Sequence, residues 1–196
     1  MCENGQGHMI FNTTARRKFV HDHDALVQGF MQDATALSVA ILSKKQHELG
    51  ITGAVGEIGV HHGLFFFAIV AAARLCEHMI AIDIFGDQGK NIDKSGHGDY
   101  TIFAKHAEQF NLTAKVVQQG QSPTLSTRAL QRTLGPRTIA AFASTSSEVS
   151  PQTLCAATGY TGVRLFSIDG GHTADIVHHD LSLLNCLLVD GGLLCA

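Results

Sequence analysis

Two groups of residues in this chain combine types and spacing that could do chemistry. The first is Gly56-Glu57-Ile58-Gly59-Val60-His61-His62-Gly63, followed about 20 residues later by Asp83. Glycines at these points let the backbone turn sharply and lie bare against a ligand, and a helix starting just after Gly63 would present unpaired amides. A carboxylate at Asp83, at the end of the next strand, can accept both hydroxyl protons of a ribose, which neutral side chains match poorly. The glycine spacing is GxxGxxxG, whereas a turn built for a dinucleotide pyrophosphate wants GxGxxG. Taken without Asp83, the glycines also suit an ordinary strand-to-helix turn. The second group is Asp169-Gly170-Gly171-His172. Histidine, with an unperturbed pKa near 6.5, suits removal of a proton from a hydroxyl, and an acid ending a strand of this kind lies where such proteins bind their ligands. The competing reading of His172 is a loop histidine that caps the helix starting near Thr173.

Two other polar clusters carry less. His21-Asp22-His23-Asp24 has metal-ligand residue types, but consecutive helical residues point about 100° apart and cannot all face one ion. A solvated helix start with Asp22 or Asp24 as N-cap is expected there. His178-His179-Asp180 falls on a helix whose apolar face reads as Val177, Leu181, Leu184 and Leu188, so the trio is expected on its polar outer face.

The elements that must position these groups alternate as short apolar runs and longer amphipathic ones, the α/β pattern. Three- and four-residue spacing of Ala25, Leu26, Phe30, Ala34, Leu37, Ile41 and Leu42 predicts one face of a helix over 24–48, closed by Gly50. Strands are expected at 53–58, 78–83, 114–118, 138–144 and 164–169, and a last one from Leu193. Helices are expected at 64–75, 101–110, 124–134 and 151–158 and after Thr173, with Phe65, Phe66 and Phe67 packed between helix and sheet. The chain divides into an N-terminal tail and helix, 1–50, and one domain, 51–196.

A chain of 196 residues that is 45% hydrophobic can bury one sizeable core. The net charge of -3 gives no basic surface that calls for nucleic acid, and no run is long or apolar enough for a membrane span or signal peptide, which predicts a cytoplasmic protein. Five widely spaced cysteines without a CxxC pair, Cys2, Cys76, Cys155, Cys186 and Cys195, read as reduced thiols. A small-molecule substrate is the expected partner. Sequence leaves the oligomeric state open, a homo-oligomer included.

The glycine loop and Asp83 together resemble the class I S-adenosylmethionine-dependent methyltransferases. Further likeness lies in 83–88 with Asn91 and 95–99, in the run from Phe166 to Thr173, and in Asp180-Leu181 with Gly191-Gly192. Over about residues 50–196 these are similar to a methyltransferase family related to the macrolide-sugar O-methyltransferases and cephalosporin-hydroxylase-like proteins. The resemblance implies an α/β, Rossmann-like, doubly wound and mostly parallel sheet with helices on both faces. It lacks the C-terminal antiparallel strands usual in this class, so the chain reads as truncated. It implies that Glu57, Gly59, His61 and Gly63 hold the methionine part of S-adenosyl-L-methionine, that Asp83 holds the ribose, and that the turn Gln119 to Ser122 lies by the adenine. Many methyltransferases have an acid at that turn; here Gln119, Gln121 and Ser122 stand instead. It implies Asp169 as a Mg2+ ligand and His172 as the general base of O-methylation on a sugar or secondary metabolite. Two alternatives remain: a nicotinamide-dependent reductase, against which the glycine spacing argues, and a non-catalytic binding or scaffold protein on the same fold.

Overall fold

The computed structural model describes Val27, Gly29 and residues 31–92, 94–117, 134–135 and 137–196, apart from the side chain of Asp33. The expectations for 21–24, for a helix over 124–134 and for Gln119 and Ser122 lie outside the described residues. The elements run α1 (Asp33–Glu48), β1 (Ala54–Ile58), α2 (Leu64–Ala71), β2 (Met79–Asp83), α3 (Tyr100–Gln109), β3 (Thr113–Val116), β4 (Thr138–Ala143), α4 (Pro151–Ala157), β5 (Val163–Ile168), α5 (Ala174–Asn185) and β6 (Leu188–Cys195). The six strands form one sheet in the order β3-β4-β2-β1-β5-β6, and every pairing is parallel. This is the Rossmann-like α/β fold that the sequence predicts. Strands β1, β4 and β5 are near-continuous apolar runs because both faces of a parallel sheet are covered. Phe66, Phe67, Phe103 and Val39 pack on one face, and Leu154, Ala157, Leu183 and Leu184 on the other.

Connections from β1 to β2 lead to one side and the return to β5 leads to the other, so the chain reverses direction between β1 and β5. Ligands of open parallel sheets bind outside the strand ends at such a switch point. Strand β4 separates β2 from β3. Apart from that insertion the order follows the usual doubly wound plan.

Four sequence expectations are corrected. Helix α1 turns Ala36, Val39, Ser43 and Gln46 inward and leaves Leu37 and Ile41 at 55% and 59% exposure, the reverse of the apolar face read from the sequence. The cause is Arg164, at the start of β5, whose side chain is fully buried. Its Nη1 donates to Ser43 Oγ (3.1 Å) and Gln46 Oε1 (2.9 Å), while Nε and Nη2 donate to the two carboxylate oxygens of Glu77 (2.7 and 2.6 Å). A buried guanidinium must have its donors satisfied, and that requirement outweighs the transfer of two leucine-sized side chains. In α5, Asp180 is buried and Leu181 exposed, so the helix is rotated from its expected face; Leu188 belongs to β6. Strand β6 starts at Leu188, five residues earlier than expected. Gly191 and Gly192 form a bulge within it, where the register jumps between Val163↔Leu188 and Leu165↔Leu193. Gly191 has φ of 75°, and a Cβ there would strike Ile51. Cys76 is disulfide-bonded, its partner outside the described residues, so the expectation of reduced thiols holds for Cys155, Cys186 and Cys195 alone.

Burial by itself raises the pKa of Glu77, but His47, its Nε2 3.8 Å from Oε2, and the hydrogen bonds and charge of Arg164 outweigh it and hold the carboxyl at about 2. A folded-state value below the unfolded one means that this stabilisation is complete above about pH 4.5 and is lost as pH falls from there towards 2. The expected loss is about 3 kcal/mol over that window. Chemical denaturation at pH 6, 4 and 3 should trace it. Glu77→Gln should cost about 3–5 kcal/mol at pH 6 by leaving Arg164 unpaired, and should flatten the acid slope; an unchanged slope in that variant would assign it to other groups.

Candidate active site

The C-terminal ends of β1, β2, β4 and β5 surround a cavity of about 550 Å³. Each strand end contributes differently. After β1 the backbone passes so close to β5 that a Cβ on Gly59, where φ is 87°, would run into the Asp169 carbonyl. The amide of Asp169 donates to Ile58 O (2.8 Å) and that of Gly59 to Ile82 O (2.9 Å), so β1 is tied to both neighbours where the loop begins. Gly63, with φ of 100°, ends the loop as N-cap of α2 without a side-chain cap.

Glu57 lies beneath the loop, fully buried, with its carboxyl at the first turn of α2. Burial, then the charges of Asp169 and Asp83, push its pKa well above the usual range, and hydrogen bonds from Ser167 and the Phe66 backbone offset only part of this. One of its oxygens, Oε2, has no hydrogen-bond partner.

Asp83 ends β2 on the cavity wall. The His61 amide donates to its Oδ2 (2.7 Å) and the Phe85 amide to its Oδ1. Burial raises its pKa, and these backbone hydrogen bonds work against that rise. One amide on each oxygen fixes the carboxylate's orientation and leaves further lone pairs for a ligand's hydroxyls. His61 itself has φ of 53°, and burial, then the charge of His97, lowers its pKa.

From β5, Asp169 and His172 reach the mouth. His172 Nε2 stands 3.5 Å from Asp169 Oδ1, with side chains 60% and 67% exposed. The capping alternative for His172 fails, because Thr173 is the N-cap of α5 and its Oγ1 accepts from the Ile176 amide (3.4 Å).

The structure thus brings Gly59, His61, Asp83, Asp169 and His172 to one cavity, while Glu57 and Gly63 support the loop from behind it. Two contributors escaped the sequence reading. One is the turn Ser144-Thr145-Ser146-Ser147 after β4, which lines the cavity. Thr145 and Glu148 form a capping box there, a signal present in the sequence as Thr-x-x-Glu. The other is His179, also on the wall, whose Nδ1 lies 3.1 Å from Oδ1 of the buried Asp180. At the rim Lys90 pairs with Glu148 (2.7 Å), joining the loops that follow β2 and β4. Apolar Ile82, Ile84 and Ile176 make up much of the remaining wall, so the cavity combines apolar surface with a few fixed polar groups, as small-molecule sites do.

No group of three or more His, Cys, Asp or Glu suited to a metal occurs among the described residues. Asp169 with His172 offers one carboxylate where a hard cation wants several oxygens, so the residues present do not fit the expected Mg2+. Among the described residues no helix is long and apolar enough to cross a membrane.

Comparison with known proteins agrees with this geometry. No curated protein matches the chain. A family model described as a methyltransferase domain matches residues 57–196, from the acid of the glycine loop through all six strands but the first three residues of β1. The chain belongs to that methyltransferase domain family.

Proposed function

We propose that the protein is an S-adenosyl-L-methionine-dependent methyltransferase that O-methylates a small hydroxylated molecule, a sugar or a secondary metabolite. The observation that carries this reading is Asp83, a carboxylate oriented by two backbone amides on the wall of the cavity, beside the bare backbone of Gly59. The orphaned Oε2 of Glu57 beneath the same loop fits a polar group arriving from the ligand. S-adenosylmethionine supplies, when bound, a methyl group on a positively charged sulfur.

The chain's own residues would do the rest. Asp83 accepts from the ribose hydroxyls. Glu57, buried beneath the glycine loop with Oε2 unpaired, holds the loop in shape and offers a hydrogen bond below the methionine part. Gly59 and Gly63 keep side chains out of its path, and His61, on the wall, lines it. His172 takes the proton from the acceptor's hydroxyl, and the Asp169 carboxylate beside it stabilises the imidazolium that forms.

In calorimetric titration, S-adenosylhomocysteine should bind with micromolar affinity and NADH should give no heat. Asp83→Ala should weaken the former tenfold or more, about 1.4 kcal/mol. Equal affinity in the variant would remove Asp83 from the site and the main support for the cofactor. His172→Ala should leave that affinity within about twofold while lowering single-turnover methyl transfer to a hydroxylated acceptor by about 10²-fold or more. Unchanged turnover would exclude it as the base, and a wild-type protein that binds the cofactor but turns over no acceptor would favour a scaffold.

A further inference from the structure

The cavity wall carries a histidine, His179, that the proposed methyl transfer does not use. Resting on that reading of the site, we infer that His179, set by the buried carboxylate of Asp180, positions the methyl acceptor. The acceptor therefore carries a second hydrogen-bond donor, separated by an apolar stretch from the hydroxyl that is methylated.

Helix α5 presents one side to the cavity. His172, just ahead of the helix, and Asp175, Ile176 and His179 within it all line the wall, and their spacing of three, four and seven residues is that of a single helical face. At about 1.5 Å per residue the two histidines stand about 10 Å apart along this face, two turns from each other. Ile176 lies between them, and Asp175, exposed, borders the stripe. A molecule laid along the stripe meets the base for its reacting hydroxyl at one end, an apolar side chain in the middle and His179 at the other end. The transfer itself is the one already proposed: the methyl passes from sulfur to the acceptor oxygen, the hydroxyl proton goes to His172, and S-adenosylhomocysteine leaves.

Asp180 decides what His179 can read. A carboxylate only accepts, so the 3.1 Å contact between His179 Nδ1 and Asp180 Oδ1 puts the ring proton on Nδ1. Nε2 is left as an acceptor, and the ligand group that meets it must be a donor, a hydroxyl or an N–H rather than a carboxylate or phosphate. The pair is poorly made for stability alone. A fully buried carboxylate gains little from one partner whose own side chain is 42% exposed, and its other oxygen, Oδ2, close under Gly170, has no partner. Glu77, a carboxylate that serves the fold, is met by Arg164 on both oxygens. What Asp180 supplies is an imidazole of fixed tautomer and direction on a cavity wall, the service a buried carboxylate gives a histidine at many reaction sites.

The test uses matched phenols: para-hydroxyethylphenol and para-hydroxypropylphenol against para-ethylphenol and para-propylphenol, which keep the reacting hydroxyl and the apolar ring but lack the distal donor. With S-adenosylmethionine saturating, wild-type protein should methylate the hydroxyalkyl compounds with a KM about three- to tenfold lower than that of their alkyl partners. His179→Ala should erase that difference while leaving kcat for all of them within about twofold. His179→Gln, whose amide oxygen also accepts, should keep part of it. Asp180→Leu, an apolar side chain of similar size, should reduce the difference and leave S-adenosylhomocysteine affinity within about twofold, which checks the fold. The inference is overturned by equal KM values within the matched pairs, by a preference that survives His179→Ala, or by a wild-type protein that binds S-adenosylhomocysteine and methylates none of these phenols. In each of those outcomes the cofactor reading stands, because binding of S-adenosylhomocysteine and its loss in Asp83→Ala are measured separately. If wild-type protein does not bind S-adenosylhomocysteine, that reading fails and this inference with it.

Discussion

The fully buried guanidinium of Arg164 is the constraint around which this fold is arranged. Its donors reach Glu77, Ser43 and Gln46, and Gln46 Nε2 in turn donates to Arg164 O (2.7 Å) and Gly191 O (3.0 Å). One side chain thereby fixes α1, the segment between α2 and β2, the start of β5 and the bulge of β6. A charge in that position is tolerable only with every donor met. That requirement dictates which face of α1 turns inward, and it explains why the bulge glycines lie where a main-chain carbonyl can accept from Gln46.

This network occupies the N-terminal ends of the strands, and the cavity occupies their C-terminal ends. The two ends hold their buried carboxylates differently, although each keeps unpaired buried atoms, His47 Nε2 and Arg74 Nη1 at the Arg164 end among them. At the Arg164 end the buried carboxylate of Glu77 is met from several sides and its pKa is driven down. At the cavity end Glu57 keeps an oxygen without a partner and its pKa is driven up, while Asp180 keeps Oδ2 unpaired behind Gly170. Unmet buried groups are costly, so they persist where something else completes them.

That contrast also explains what was legible in the sequence. Gly59, Gly63 and Asp83 could be read because each answers to local geometry: a backbone crossing, a positive φ, the last residue of a strand. The Asp169–His172 pair was legible for the same reason, following β5 directly. The faces of α1 and α5 were not, since periodicity counts apolar side chains and cannot see that Ser43, Gln46 and Asp180 are drawn inwards by partners over 100 residues away or by the space under a glycine. Strand β4 was legible as a strand, but its place between β2 and β3 was not, because strand order is decided by pairing across the whole sheet. The sequence reading put the nucleobase beside the turn Gln119 to Ser122, which lies outside the described residues.

Charge at the cavity end bears on which ligand belongs there. Glu57, Asp83 and Asp169 converge closely enough that the latter two raise the pKa of the first. Lys90, on the same wall, is committed to Glu148 and Asp87. A pyrophosphate brought into this place would meet carboxylates at short range in a partly desolvated cavity, where like charges repel strongly. A ligand carrying positive charge would relieve the repulsion that raises the pKa of Glu57. The sulfonium and amino groups of S-adenosylmethionine carry such charge, and the diphosphate of a nicotinamide dinucleotide carries the opposite one. The electrostatics of the strand ends and the GxxGxxxG spacing therefore argue against the dinucleotide on separate grounds, one through charge and the other through the shape of the backbone beneath it.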